Sequence, residues 1–395
     1  MSKLLMLGTG HGMVKKMYNA CFIIQNEEGN FLIETGGSAE ILNRLDYFGV
    51  QASEINNIFI SHSHIDHIMG LIWLFKSLSS SLSLIKDKIH VYANDDVIDT
   101  IEKLMSLLLP VKLIDLLLTK IELIKLKNNE KVKINGCEYL FFDLNASSCK
   151  QFGFEVVIDE KKMFFLGDVT LNKNLYSRII NSDIVLHEAF CLDEEEKKFG
   201  AYSKQHSTVK SVCEVMEKLS VKKLILFHTE ETHGAERQKL YLNEGKKYFH
   251  KMLLVPNDLE TIDLDVIDKV GAIILKDKKI LVQRKKNNRK ECIIPGGKRE
   301  QLESDFQTLQ RELFEEITVE VKKATYFGDY DDLAVFSNKP LHVCVYLVDI
   351  SGKIKCNNEI KEAIFIDRNY KEKEIEVGSI LGDYVIPDLV KRGLM

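Results

Sequence analysis

The chain has 395 residues, 45% of them hydrophobic, with a formal net charge of −5; this is enough apolar material for two cores and excludes a general basic surface for nucleic acid. No apolar run reaches membrane-spanning length, since Lys76 breaks one and Pro110 with Lys112 another, so no membrane partner is expected. Eight cysteines without a C-x-x-C pair, and an opening "MSKLLML" too short for a signal peptide, point to a reducing cytoplasm.

"MSKLLML" reads as the first strand, and "FLIETGGS" (31–38) as a strand entering a glycine turn through Glu34. Asn57–Ile60 ends a buried strand, and "SHSHIDHIMG" (61–70) follows it directly. There His62 and His64, two residues apart, point the same way at the sheet edge. The next stretch, "IDHIMGLIWLFKSL", carries apolar residues at helical spacing. Asp66 and His67 then fall in the first helical turn, where a carboxylate suits the positive end of the helix dipole. Imidazole and carboxylate together suit zinc, iron or manganese, with room for two ions roughly 3.5–4 Å apart. The Leu-rich segment 101–126 resembles a membrane helix only until its recurring charges are counted; it reads as packed helix then strand, with a homodimer contact as the alternative.

The H-x-H-x-D-H stretch resembles the metallo-β-lactamase-fold hydrolases, and the likeness runs over residues 1–263. It implies an αββα sandwich. "FFLGDVT" (164–170) resembles the strand delivering the metal-bridging carboxylate, here Asp168, and "LILFHTEETHG" (224–234) the strand delivering His228 to the second metal. Glu34 stands where the family usually carries Asp. Two further stretches, "VLHEAF" (185–190) and "KQHSTVKSVCEVMEKL" (204–219), resemble the ribonuclease Z group. That likeness implies that Glu188 and His206 form the proton-transfer pair for the leaving oxygen of a phosphodiester, with Asp66 orienting the attacking hydroxide. A helix cap at Ser207 or Thr208 with a core-edge histidine is the plainer account of that stretch. The long Gly/Pro-rich arm with which many ribonuclease Z enzymes hold tRNA has no counterpart here.

One ligand of the family pattern is missing. A third histidine for the first metal is expected before "FGFEVVI" (152–158), yet "DLNASSCK" (143–150) holds none. Ser147 is nearest the expected position, and Cys149 is either a soft thiolate substitute or a small buried hydrophobe. His62, His64 and Asp168 would leave the first site weak, whereas Asp66, His67, Asp168 and His228 complete the second. About one tightly held metal is expected.

From residue 264 the pattern changes. "VGAIILKDKKILVQRKK" (270–286) reads as a β-hairpin, and "GKREQLESDFQTLQRELFEEITV" (297–319) resembles the Nudix box, with Thr318 where glycine is expected. The likeness implies a Nudix α/β/α sandwich over 264–395. From Ser304, an N-cap, the box forms a helix with Phe306, Leu309, Leu313 and Ile317 on one face and Glu312, Glu315 and Glu316 clustered at i, i+3 and i+4. Such carboxylates call for a cation, and Mg²⁺ or Mn²⁺ fits. Glu315 and Glu316 are the catalytic carboxylates of this reading, and Arg311 either binds a substrate phosphate or orients the cluster. Glu359 is a further candidate ligand, ahead of Glu362, and "ILGDYVIPDLVKRGL" (380–394) a closing helix.

The whole reads as a hydrolase with two centres: a phosphodiesterase or nuclease in the first half, and a hydrolase of nucleoside diphosphates linked to another group in the second. Nucleotides or RNA-like phosphates are its expected substrates. The alternative is a nucleotide-binding sensor whose N-terminal metal site has decayed.

Overall fold

In the computed structural model the described residues are all except Met1, Lys86, 265–266, 287–289, 301–302 and 334–339. The chain divides into two units, Met1–Asp265 and Val266–Met395.

Two seven-stranded sheets build the first unit. One runs in the order Thr261–Asp263, Lys3–Gly8, Cys21–Asn26, Gly29–Ile33, Ile55–Ile60, Ile89–Ala93, Ile121–Lys125. The other runs Met252–Leu254, Lys223–Phe227, Ile184–Glu188, Lys161–Phe165, Phe152–Ile158, Cys137–Asp143, Glu130–Ile134. Each is part antiparallel and part parallel. The parallel strands are buried on both faces, which is why "IFI" and "LILF" are unbroken apolar runs. Between the sheets lies an aromatic layer in which Phe59 packs against Phe141, Phe154 and Phe165 at centroid distances of 5.0, 5.7 and 6.3 Å; truncating such a ring costs about 3–5 kcal/mol. Helices Ile65–Leu78 and Asp95–Leu108 cover the outer face of the first sheet, and Val209–Lys218 and Arg237–Gly245 that of the second. The architecture is the metallo-β-lactamase αββα sandwich.

Helix Ile65–Leu78 sits close because position 70 is glycine: a Cβ there would lie 1.9 Å from the carbonyl oxygen of Thr35. The unit is tied end to end. Thr261–Asp263 pairs with Lys3–Leu5, and Asp258 accepts the backbone N–H of Thr9 and of Tyr18, at 2.9 and 2.6 Å, and pairs with Arg44 at 3.2 Å.

The Leu-rich segment forms helix to Leu108, a second helix Val111–Leu117 after Pro110, and strand Ile121–Lys125. Leu107, Leu108, Val111, Leu116 and Leu118 remain exposed. Among the described residues no helix is long and apolar enough to cross a membrane.

The second unit pairs a four-stranded sheet, ordered Gly296–Lys298, Ile267–Ile273, Pro340–Ser351, Glu320–Leu333, with a three-stranded one, Leu275–Lys276, Lys279–Lys285, Ile360–Ile366. The expected hairpin is therefore shorter than 270–286. Its strands are Leu275–Lys276 and Lys279–Lys285, with Asp277 and Lys278 both left-handed in the turn, while Ile267–Ile273 belongs to the other sheet. Helix Asp305–Ile317 packs Leu309, Leu313 and Ile317 into one core, but Phe306, expected on that face, is 39% exposed. The buried neighbour is Asp305, held by Arg299 at 2.7 Å, so a paired charge occupies the place hydrophobicity assigned to the ring. The closing helix is wider at its start: Ile380–Val385 has π geometry before Ile386–Lys391. Pro387 lacks an N–H and its ring would crowd the carbonyl four residues back, which accounts for the wider turn.

Candidate functional site

Four parallel strands of the first unit release their side chains at one edge, the usual place for a site in such sheets. Ile55–Ile60 ends at Ser61 and His62, Lys161–Phe165 leads through Gly167 to Asp168, Ile184–Glu188 ends on Glu188, and Lys223–Phe227 on His228. The structure brings His62, His64, Asp66, His67, Asp168 and His228 together. His62 Nε2 lies 2.9 Å from His64 Nδ1 and 3.5 Å from Asp168 Oδ2. Asp168 Oδ2 is also 3.4 Å from His67 Nε2 and 3.5 Å from His228 Nε2. Asp66 Oδ2 stands 3.2 Å from His67 and 3.6 Å from His228. His64 occupies the N-cap position of its helix without capping it, which leaves the imidazole free to turn toward His62.

Electrostatics favour ligands over ordinary buried histidines. Burial pushes the His62 imidazole well below its usual pKa, keeping a lone pair available. Burial also opposes charge on His67, but the carboxylates of Asp66, Glu34 and Asp168 outweigh it and raise that group. Both ring nitrogens of His67 and of His228, and Asp168 Oδ1, are buried without a hydrogen bond. Unsatisfied buried polar atoms each cost about 1–3 kcal/mol. A cluster of them facing one point fits bound cations.

Glu34 explains itself in this frame. Its backbone is left-handed at φ 59°, its Oε1 accepts the Ser61 N–H at 3.0 Å, and its Oε2 reaches to 3.5 Å from His67 Nδ1. Orienting the far nitrogen of His67 is a role any carboxylate of sufficient reach can fill.

Glu188 and His206 come together with 3.8 Å between Oε2 and Nδ1. Glu188 is fully buried, its Oε1 accepts the Ser207 N–H, and burial raises its pKa to about 8. Burial lowers His206 to about 4, and its ring stacks on Phe190 at 4.8 Å. The helix is capped by Thr208, not Ser207. His187 points away and holds the Glu188 carbonyl through Nδ1 at 2.7 Å.

One residue went unnoticed in the sequence reading. His11 pairs with Glu230 at 3.0 Å and lies edge-on to Phe190 and His228; the only signal was a histidine flanked by glycines in "GTGHG". Cys149, whose role the sequence left open, lies next to His64. Its Sγ is 3.7 Å from His64 Nε2, and ligand atoms of His62, His64 and Cys149 lie within 4.8 Å of one another. Burial disfavours its thiolate, but hydrogen bonding with His64 outweighs this and holds the thiol below its usual range.

In the second unit Glu316 is buried, accepts the Gly296 N–H at 2.9 Å and has its pKa raised to about 7 by burial. Gly297 leaves room for Glu312: a Cβ there would fall 2.0 Å from Glu312 Oε1 and displace that carboxylate. Glu315 is exposed on the helix. Arg311, expected to reach a phosphate or to orient the cluster, grips Glu303 at 2.7 and 2.8 Å, Glu312 at 2.9 Å and the Lys298 carbonyl at 2.9 Å. It thus supplies part of the positive charge that the glutamates were expected to draw from a cation. Among the described residues, the groups of ligand atoms within 4.8 Å of one another all lie in the first unit. Glu359 pairs with Lys285 and Glu362 with Arg284. Thr318 ends the helix left-handed, at φ 59°, the conformation the usual glycine adopts freely.

Comparison with known proteins agrees with both units. The family model of anti-Pycsar protein Apyc1 matches residues 2–250, and that of the NUDIX domain residues 267–371. The ribonuclease Z of Archaeoglobus fulgidus is 26% identical over 250 residues, 51% of this chain and 78% of its own length. That of Methanocaldococcus jannaschii is 25% identical over 314 residues, 66% and 97%. Among solved structures, the metallo-β-lactamase fold protein YhfI of Bacillus subtilis superposes with TM-score 0.54 at 17% identity, covering 66% of this chain and 98% of its own. The short form of human tRNase Z gives 0.51 at 21%, covering 67% and 100%. At these identities the structural matches establish the fold.

Proposed function

The chain belongs, through residues 2–250, to the family of anti-Pycsar protein Apyc1, and on that premise we propose that its first unit is a metal-dependent phosphodiesterase and its second hydrolyses nucleoside diphosphates linked to another group. The chain is a hydrolase with a metallo-β-lactamase fold followed by a Nudix domain. The single observation that carries the finer reading is the buried Glu188–His206 pair beside the convergent histidines and aspartates. Metal ligands alone would serve many hydrolyses; a proton donor next to them suits a poor leaving group such as an alkoxide.

The donor set fits two transition-metal ions, zinc foremost given its imidazoles, held by His62, His64 and Asp168 on one side and by Asp66, His67, Asp168 and His228 on the other. Such ions, when bound, lower the pKa of water and offset charge on phosphoryl oxygens. The chain's own groups do the rest. Asp66 accepts a hydrogen bond from the attacking water and fixes its direction, while His206 passes a proton to the leaving oxygen and takes one in turn from Glu188. In the second unit Glu316 and Glu312 would be the donors for Mg²⁺ or Mn²⁺, with Glu315 at the exposed rim and Arg311 positioning Glu312.

A small nucleotide suits the first site better than a folded RNA. The longest connection between successive elements of Met1–Asp265 is residues 9–20, which offers no arm to hold a distant part of a large substrate. A homodimer through the exposed leucines of residues 107–118 is the proposed assembly, and sedimentation of a Leu107→Glu variant tests it. The activity test is turnover of bis-(p-nitrophenyl) phosphate and of a nucleoside diphosphate sugar panel with Mn²⁺ or Mg²⁺. Product from both supports the two-centre reading; binding without product in either would make the chain a sensor.

A further inference from the structure

We infer that Cys149 is a thiolate ligand of the first metal position, in place of the histidine the sequence lacks. The inference rests on the two-metal reading above and adds to it the chemistry of one site. The segment 144–151 is a fixed loop. Leu144 N–H donates to the Gln151 carbonyl at 2.9 Å, and Phe152 N–H to the Ser61 carbonyl at 3.1 Å. Asn94 Nδ2 donates to both the Ser61 and the Lys150 carbonyls, each at 3.2 Å. The stem of the loop is therefore tied to the residue preceding His62, and Cys149, immediately before that stem, is delivered beside His64.

Three observations single out this thiol among eight cysteines. Its sulfur shares a sphere of 4.8 Å with ligand atoms of His62 and His64. Asp168 is 5% exposed, its Oδ2 lies 3.5 Å from His62 Nε2 and its Oδ1 has no hydrogen bond, so a buried carboxylate beside His62 is available as the fourth donor. Ser148 Oγ and Gln151 Nε2 approach Sγ at 3.9 and 3.8 Å, donors that stabilise a coordinated thiolate as outer partners do elsewhere. On binding, the thiol proton leaves to solvent and the S–metal bond forms, with no change of oxidation state.

A site of two imidazoles, one carboxylate and one thiolate is softer than an all-histidine one. It prefers zinc or cobalt over manganese and magnesium. It also places an oxidisable group in the centre, since Cys149 is only half-buried.

The test is titration of the metal-free full chain with Co²⁺, read by absorbance and by bound metal after gel filtration. The wild type is expected to bind about two equivalents, with a near-ultraviolet thiolate-to-cobalt charge-transfer band. Cys149→Ser should lose that band and about one equivalent while its circular dichroism stays unchanged. Cys149→His should recover the equivalent without the band. Two equivalents with no band, or a band that persists in Cys149→Ser, would overturn the assignment while leaving the two-metal reading standing. No bound metal in the wild type would overturn both.

Discussion

Glu188 and His206 form a pair in which the carboxyl, not the imidazole, holds the proton at neutral pH: 3.8 Å apart, the first is raised to about 8 and the second lowered to about 4. The acid form of Glu188 is lost as pH rises through about 8. Hydrolysis of a diester with an alkoxide leaving group should therefore decline above that pH. In Glu188→Gln the alkoxide substrate should slow by roughly 100-fold to 10,000-fold, the range for a positioned acid. A nitrophenyl diester, whose leaving group needs no proton, should slow far less. Equal losses on both substrates would show that Glu188 holds the site together and donates nothing.

The two centres share no residue. Asp168→Ala should abolish phosphodiester hydrolysis, because Asp168 touches His62, His67 and His228 alike, and leave diphosphate hydrolysis within a few-fold. Steady-state rates on both substrates, with a melting curve to confirm folding, read this out.

His187 makes the first unit sensitive to acid. Burial lowers its pKa to about 4, so the folded state excludes a proton that the unfolded chain accepts below about 6.5. Its contribution is intact above that pH and is lost as pH falls toward 4, by about 2 kcal/mol at pH 5. Urea unfolding of the chelated protein at pH 7 and pH 5 should show a smaller acid loss in His187→Gln than in the wild type.

Glu316 has the opposite sign. Its raised pKa of about 7 means that stability present at low pH is lost as pH climbs through neutrality, because the buried carboxyl must ionise. Glu316→Gln should leave the metal-free protein unchanged at pH 5 and more stable at pH 8 than the wild type. Stabilisation by added Mg²⁺ should shrink, and diphosphate hydrolysis should fall by orders of magnitude. Unchanged turnover would remove the catalytic role assigned to this helix.

The sequence made the local features legible and hid the distant ones. His62, His64, Asp66 and His67 lie within six residues, so strand and helix periodicity alone bring them together. Cys149 was ambiguous because nothing in its neighbourhood distinguishes a ligand from a buried thiol; its role depends on Asn94 and Ser61, far away in sequence. Phe306 was assigned to the wrong face because hydrophobic spacing cannot foresee a buried Asp305 paired with Arg299. Arg311 was read as orienting the cluster or reaching a phosphate; its grip on Glu303, eight residues earlier, could not be foreseen from helical spacing. Thr318 was legible as a misfit, and the structure shows it taking the left-handed form despite its branched side chain.

The pairing of Thr261–Asp263 with Lys3–Leu5, and the grip of Asp258 on Thr9, Tyr18 and Arg44, set a schedule for synthesis. At about 5–20 residues per second a ribosome needs tens of seconds or less to reach the closing strand, and until then Lys3–Gly8 presents an unpaired edge. A strand made about 250 residues earlier is thus among the last of this unit to be sealed. Contacts spanning so much chain form slowly, and truncation ahead of Asp258, which removes them, should damage the first unit more than loss of the entire second unit does.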